Sequence, residues 1–174
     1  MEQAMVVGLI ALLITAIVTD LRSCRIPNWL TTPAMVFGLA VHAWQHGLQG
    51  LLFSLFGLFV GLGSFLLLHL SGNIGAGDVK LMAAVGAMVG PHDAFMSAVL
   101  AIMVGGFYAL VAMVYQWGLV STIRRLSRVF QGLVATRMQV AYAHELVLPF
   151  RLRYGLAIAG GTLLLQLGLH PFGG

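Results

Sequence analysis

The feature that most constrains this chain is a series of long apolar runs almost free of charge. They lie at about 4–19, 30–45, 50–70, 79–90, 94–117 and 154–170. A helix needs roughly 20 apolar residues to cross the hydrocarbon of a bilayer, with a range of about 17–25. Most of the runs meet or nearly meet that length. The fourth is short even when it is started near Ile74. Only 8% of the 174 residues are charged and 60% are hydrophobic, against roughly 25% charged in an ordinary soluble domain. A chain of this size cannot hide so much apolar surface in a core of its own, because small domains keep much of their surface in water. Lipid is therefore the solvent for most of it. The expected fold is all-α, a polytopic membrane protein with a bundle of about six transmembrane helices in a single domain over residues 1–174.

The positions of the basic residues give that bundle a direction. Arg22 and Arg25 follow the first run, Lys80 lies between the third and fourth, and Arg124, Arg125, Arg128, Arg137, Arg151 and Arg153 lie between the fifth and sixth. If all six runs cross, every Lys and Arg falls on one side. The positive-inside rule makes that side the cytoplasm and leaves both termini outside. A fourth run that re-entered without crossing would move the large Arg cluster to the outer face, which is the poorer arrangement. Its shortness then calls for local thinning of the bilayer or a tilted neighbour. Trp29, Trp44, Trp117 and Tyr154 fall near the expected interfaces, where aromatic belts sit. Glu2 stands where a signal peptide carries basic residues, and the first run ends at Thr19–Asp20 without a small-residue cleavage site, so it reads as a membrane helix.

The formal charge of +4 points to anionic lipid headgroups, not nucleic acid, because the basic residues are gathered between apolar runs. In the segment 118–153, Ile123, Leu126, Phe130, Leu133 and Val134 recur at helical spacing with Arg124, Arg125 and Arg128 on other faces. That pattern predicts an amphipathic helix on the inner leaflet; a solvated connector is the alternative. Cys24 is the single cysteine, so no intrachain disulfide framework or all-cysteine metal site exists.

Within this topology the carboxylates sort themselves. Glu2 and Asp93 lie outside and Glu145 lies in the cytoplasmic segment. Asp20 ends the first helix and Asp78 begins the fourth, on the same side and at the same depth. Asp78 also suits a helix N-cap, and Asp20, at a helix C-terminus where the dipole disfavours it, could pair with Arg22 or Arg25. Two adjacent carboxylates can instead share one proton, since like charges a few ångströms apart do not both ionise easily. The ionised member then activates water and the protonated member donates to a carbonyl. That is aspartyl protease chemistry, which requires no cofactor or metal. Gly75 and Gly77 would free the backbone before Asp78 and let a peptide come close.

The stretch "GAGDVKLM" from Gly75 matches the Gly-x-Gly-Asp-Val-Lys signature of the type IV prepilin peptidases. "DLRSCRIPNWLT" from Asp20, with Arg25, Ile26, Pro27 and Asn28 at its core, resembles the segment around their first aspartate. The late "LPFRLRYGLAIAGG" resembles their final segment, with Arg151, Leu152 and Arg153 interrupting the small apolar run after the proline. The resemblance extends over essentially the whole chain. It implies an aspartyl endopeptidase of the bacterial inner membrane that removes the short basic leader of a prepilin or pseudopilin at the cytoplasmic face. Asp20 and Asp78 match the two catalytic positions; Gly75, Gly77, Lys80, Arg25, Pro27 and Asn28, in the motifs around them, are the candidate turn and substrate-binding residues, with Lys80, Arg22 and Arg25 expected to hold acidic groups of the substrate or lipid headgroups. The chain starts directly at its first helix. It is therefore similar to the short peptidases of Flp/Tad pilus systems, which lack the N-terminal region linked to methylation, and methyl transfer is not expected of it.

Rival readings are weaker. His42 and His46 stand four apart but lack the Glu of His-Glu-x-x-His and lie at the outer end of the second helix, so they read as interface histidines. Ser64 lacks the Gly-x-Ser-Gly setting of an intramembrane nucleophile, and Thr19 stands where a presenilin-like protease carries tyrosine before its aspartate. Cys24 has no base beside it in sequence. A non-enzymatic scaffold or small transporter would use Asp20 and Asp78 as ion-pair partners of Arg22, Arg25 and Lys80. Intramembrane acids often mark ion paths, yet none lies deeper to continue one.

Overall fold

The structure, a computed structural model, describes residues 2–23, 25–70, 74–118, 121–124, 127 and 154–166. Every regular element among them is a helix: α1 (Glu2–Ser23), α2 (Asn28–Leu70), α3 (Ala76–Val89), α4 (Pro91–Trp117) and α5 (Tyr154–Gln166). The expected all-α bundle is thus observed. Most of the segment expected to form a surface-lying amphipathic helix, together with Cys24 and Glu145, lies outside the described residues.

At 43 residues α2 is twice the length a membrane crossing needs, and it is not one rod. His46 (φ −129°, ψ 15°) and Gly47 (φ 59°, ψ −136°) break it, and the positive φ at Gly47 is a conformation that suits glycine. The two arms then run back along each other. Gly38 of the first arm and Ser54 of the second both reach Ala87, and the rings of His42 and Phe53 meet edge to face at 5.3 Å. The second and third apolar runs are therefore two passes joined by a tight turn. Counting both arms, each of the six apolar runs has a helical segment among the described residues.

Among the described residues, three helices are long and apolar enough to cross a membrane: Gln3–Ser23, Asn28–Leu70 and Pro91–Gln116. α3 is different. Its 14 residues make a rod of only about 21 Å, shorter than the hydrocarbon core of roughly 30 Å. Leu81 through Ala87 are wholly buried, so α3 is the hub of the bundle. Protein, more than lipid, surrounds α3 along most of its length.

Close approach at the hub rests on small residues. In the second arm of α2, Gly50, Ser54, Gly57 and Gly61 form the buried seam. A Cβ on Gly57 would collide with the Gly86 carbonyl, and one on Gly61 with the Met82 carbonyl. α4 and α5 meet similarly: Gly161 lies on the Ala101 backbone and Gly105 under the Tyr154 ring. Bulky side chains point outward instead, with Leu67, Phe107 and Tyr115 more than 70% exposed. Lipid offers no hydrophobic drive between helices, so small residues inside and large ones outside are what membrane packing requires.

Candidate active site

Asp20 is brought inward by the register of α1. Leu9, Leu12, Leu13 and Ala16 are the buried residues of that helix, and Asp20 continues their spacing one turn further. Residues three and four apart share a helix face, so the carboxylate points along the same stripe into the bundle and is only 4% exposed. Its Oδ2 accepts a hydrogen bond of 3.1 Å from the Gly155 backbone N–H in the first turn of α5.

Asp78 arrives from the opposite direction, in the first turn of α3. The helix begins after Gly75, and Asp78 occupies the third position, where its Oδ2 accepts the Gly75 N–H at 3.2 Å. This is the reciprocal half of a capping box. The capping role and the site role therefore fall on the same side chain, which is 8% exposed. Asp20 and Asp78 lie within electrostatic reach of each other. Tyr154, the first residue of α5, is within reach of Asp78 in turn.

The other residues singled out from sequence fall around this pair with different functions. Lys80 is exposed near the start of α3, and its Nζ donates to Asn28 Oδ1 at 2.9 Å. That bond ties the start of α2 to the start of α3. Gly77 packs on Ile26: a Cβ there would lie 3.1–3.2 Å from the Ile26 carbonyl oxygen, nitrogen and Cβ. The Arg25–Asn28 stretch and the Gly75–Asp78 turn are thereby pressed together. Pro27 supports the entry to α2, its carbonyl accepting the Leu30 N–H at 3.1 Å, while Arg25 is exposed.

The reason expected for the glycines needs correction. Gly75 has φ −73° and ψ 148°, ordinary extended backbone, and the glycines at positive φ are Gly47, Gly90 and Gly118. Gly75 and Gly77 serve closeness instead of unusual dihedral angles. A Cβ on Gly75 would stand 3.2 Å from Asp78 Oδ2.

Tyr154 and Gly155 were not recognised as site residues from sequence, where Tyr154 looks like an interface aromatic. It is half-buried and packs against the core, unlike Trp29 and Trp44, which are exposed. The available signal was the late "RYGLAIAGG" stretch. The rival residues lie elsewhere or are locally occupied. His42 Nε2 is 3.0 Å from the Met88 carbonyl at the far end of α3, and His42, His46, Gln49, Gly50 and Phe53 line a cavity of about 340 Å³ there. Ser64 Oγ donates to the Val60 carbonyl at 2.7 Å within its own helix. Among the described residues, no group of three or more His, Cys, Asp or Glu is placed to hold a metal ion.

Residues 7–110, a stretch containing both aspartates, match the type IV leader peptidase family. The chain belongs to that family. A curated member with which it shares 34% identity over 118 residues is the prepilin leader peptidase/N-methyltransferase of Escherichia coli (strain K12). That similarity covers 63% of this chain and 52% of the relative, so the chain spans about half the relative's length. No solved structure matches the chain. The family stretch ends before α5, whose first turn nevertheless touches Asp20 in this leader peptidase family member.

Proposed function

We propose that this protein is an aspartyl endopeptidase that cleaves the basic leader from type IV prepilins or pseudopilins, Flp-type pilins among them. One observation carries the reading: two buried carboxylates, from separate helices, meet at one end of a membrane bundle within electrostatic reach. Such a pair holds a shared proton more readily than two charges. Its ionised member takes a proton from water as that water attacks the scissile carbonyl. Its protonated member donates to the carbonyl oxygen; as the C–N bond breaks, the proton taken from water passes to the departing amine and a hydroxyl of the tetrahedral intermediate returns its proton to the other carboxylate. Asp20 and Asp78 share these roles.

The charge pattern supports an inner-membrane location, with the aspartates facing the cytoplasm and both termini outside. A prepilin would lie with its apolar helix in the bilayer and its leader beside the Arg25–Asn28 stretch and the Gly75–Lys80 turn. Lys80 and Arg25 are suited to acidic groups of the substrate or of lipid headgroups. Membranes carrying wild type, Asp20→Asn or Asp78→Asn are mixed with candidate prepilins, and insertion is checked for each. Wild type is expected to release the leader. Each variant should be folded and lose activity by about 100- to 10,000-fold, the usual contribution of an acid–base group. Cleavage retained by either variant would sink the shared-proton mechanism. A membrane scaffold would tolerate at least one of the two changes.

A further inference from the structure

Asp20 is held by a group outside its own helix and outside the two aspartate motifs. Its Oδ2 accepts the backbone N–H of Gly155 across 135 positions of sequence, in a buried setting. The same residue is where α5 comes closest to the carboxylate. A Cβ built on Gly155 would lie 2.8 Å from Oδ2, 3.1 Å from the Asp20 Cβ and 3.2 Å from its Cγ. The first of these is shorter than real Cβ contacts reach, and all three crowd a single side chain. A glycine elsewhere on α5 shows the contrast: a Cβ on Gly160 would have only Val104 Cγ1 near it, at 4.0 Å.

We propose that Gly155 is a positioning residue for the aspartate pair. Its N–H fixes one oxygen of Asp20, and its missing side chain lets α5 approach closely enough to do so. An N–H at the start of a helix is a strong partner for a carboxylate, because helix N-termini carry unsatisfied donors and the positive end of the dipole. With Oδ2 held by α5, the rotation of the Asp20 carboxyl group is set. Tyr154, one residue earlier, lies within electrostatic reach of Asp78, so the first turn of α5 reaches both members of the pair. The proposal rests on the peptidase reading and assigns α5 the task of aligning the reacting oxygens.

The test compares wild type, Gly155→Ala, Gly160→Ala and Asp20→Asn in membranes for leader cleavage, with melting measured on each purified protein. Gly155→Ala should lower kcat by about 100-fold, the scale of a 1 Å misplacement of a reacting group, with KM within about twofold because the substrate's binding contacts remain. Gly160→Ala should cleave like wild type. A raised KM with unchanged kcat, or full activity in Gly155→Ala, would overturn the proposal. If wild type cleaves no prepilin, the peptidase reading itself has failed, which is a distinct result.

A second measurement does not depend on the Gly155 variant folding. Tyr154–Gly155 is the one Tyr-Gly pair in the sequence, so carbonyl-13C tyrosine with 15N glycine gives a single amide signal from Gly155. In the full-length protein that amide proton should move upfield when Asp20 is replaced by Ala and its acceptor is lost. An unmoved signal would overturn the hydrogen bond and the proposal with it.

Discussion

A methyl group added at Gly75 and one added at Gly77 meet very different neighbours. At Gly75 the dihedral angles suit any residue, and the nearest atom is the end of the Asp78 side chain at 3.2 Å. That oxygen can give way by a few tenths of an ångström, but it belongs to the aspartate pair proposed to do the chemistry. Gly75→Ala should therefore lose cleavage rate with its melting temperature unchanged. At Gly77 the contacts are Ile26 backbone atoms at 3.1 and 3.2 Å, which move only if the whole stretch before α2 moves. Gly77→Ala should lower stability by about 1–3 kcal/mol, as overpacking does, and reduce cleavage along with it. Thermal melting in detergent beside the cleavage assay separates the two variants. A stable, inactive Gly77→Ala would contradict the packing argument.

Much of this scale was legible in the sequence. Asp20 stands out as the acid that ends the first apolar run, and the Gly-x-Gly-Asp turn announces Asp78; which face of α1 turns inward is set by packing, because that run is apolar all round. The hydrogen bond from Gly155 was not legible, because its donor is a main-chain N–H that leaves no side-chain signature and lies 135 positions from its acceptor. The bond from Lys80 to Asn28 was equally hidden. Both residues were picked out as binding groups, but nothing in a linear pattern says that they bind each other.

Among the elements, the α2–α3 contact depends most on residue size. Gly57 and Gly86 lie backbone to backbone, and a side chain on either would enter the other's carbonyl. Gly57→Ala must separate the two helices or displace a carbonyl, and should cost about 1–3 kcal/mol or more. Gly63 and Gly106 face open space, and alanine there should leave stability within about 1 kcal/mol of wild type, helped by helix propensity. Intrinsic tryptophan fluorescence during heating reads all three. Equal melting for Gly57→Ala and Gly63→Ala would refute the seam. The break between the arms of α2 was visible in sequence, where the apolar pattern pauses between residues 45 and 50. The burial of α3 on every side was not: a short apolar run says that a helix is unusual, and only packing says where it sits.

For the molecule as a whole, the distribution of bulk decides which large residues matter. Phe65 is completely buried and Phe107 is 71% exposed, although both are phenylalanines within apolar helices. Phe65→Ala leaves a cavity and should cost about 3–5 kcal/mol, the usual range for a buried aromatic. Phe107→Ala exchanges ring for lipid and should change stability little. Reversal of that order in a detergent melting series would mean that the outward face of α4 is covered by another protein.

The enclosure of α3 also bears on how the chain enters its membrane during synthesis. At 14 residues, with Asp78 and Lys80 in its opening turns, α3 is too short and too polar at one end to be accepted by lipid alone. A single glycine, Gly90 at φ 87°, separates it from the strongly apolar α4. The segment that carries one of the two acids must therefore be drawn in by its neighbours. Biogenesis and assembly of the aspartate pair become the same event: Asp78 comes within reach of Asp20 only when enough of the chain has been made to surround it.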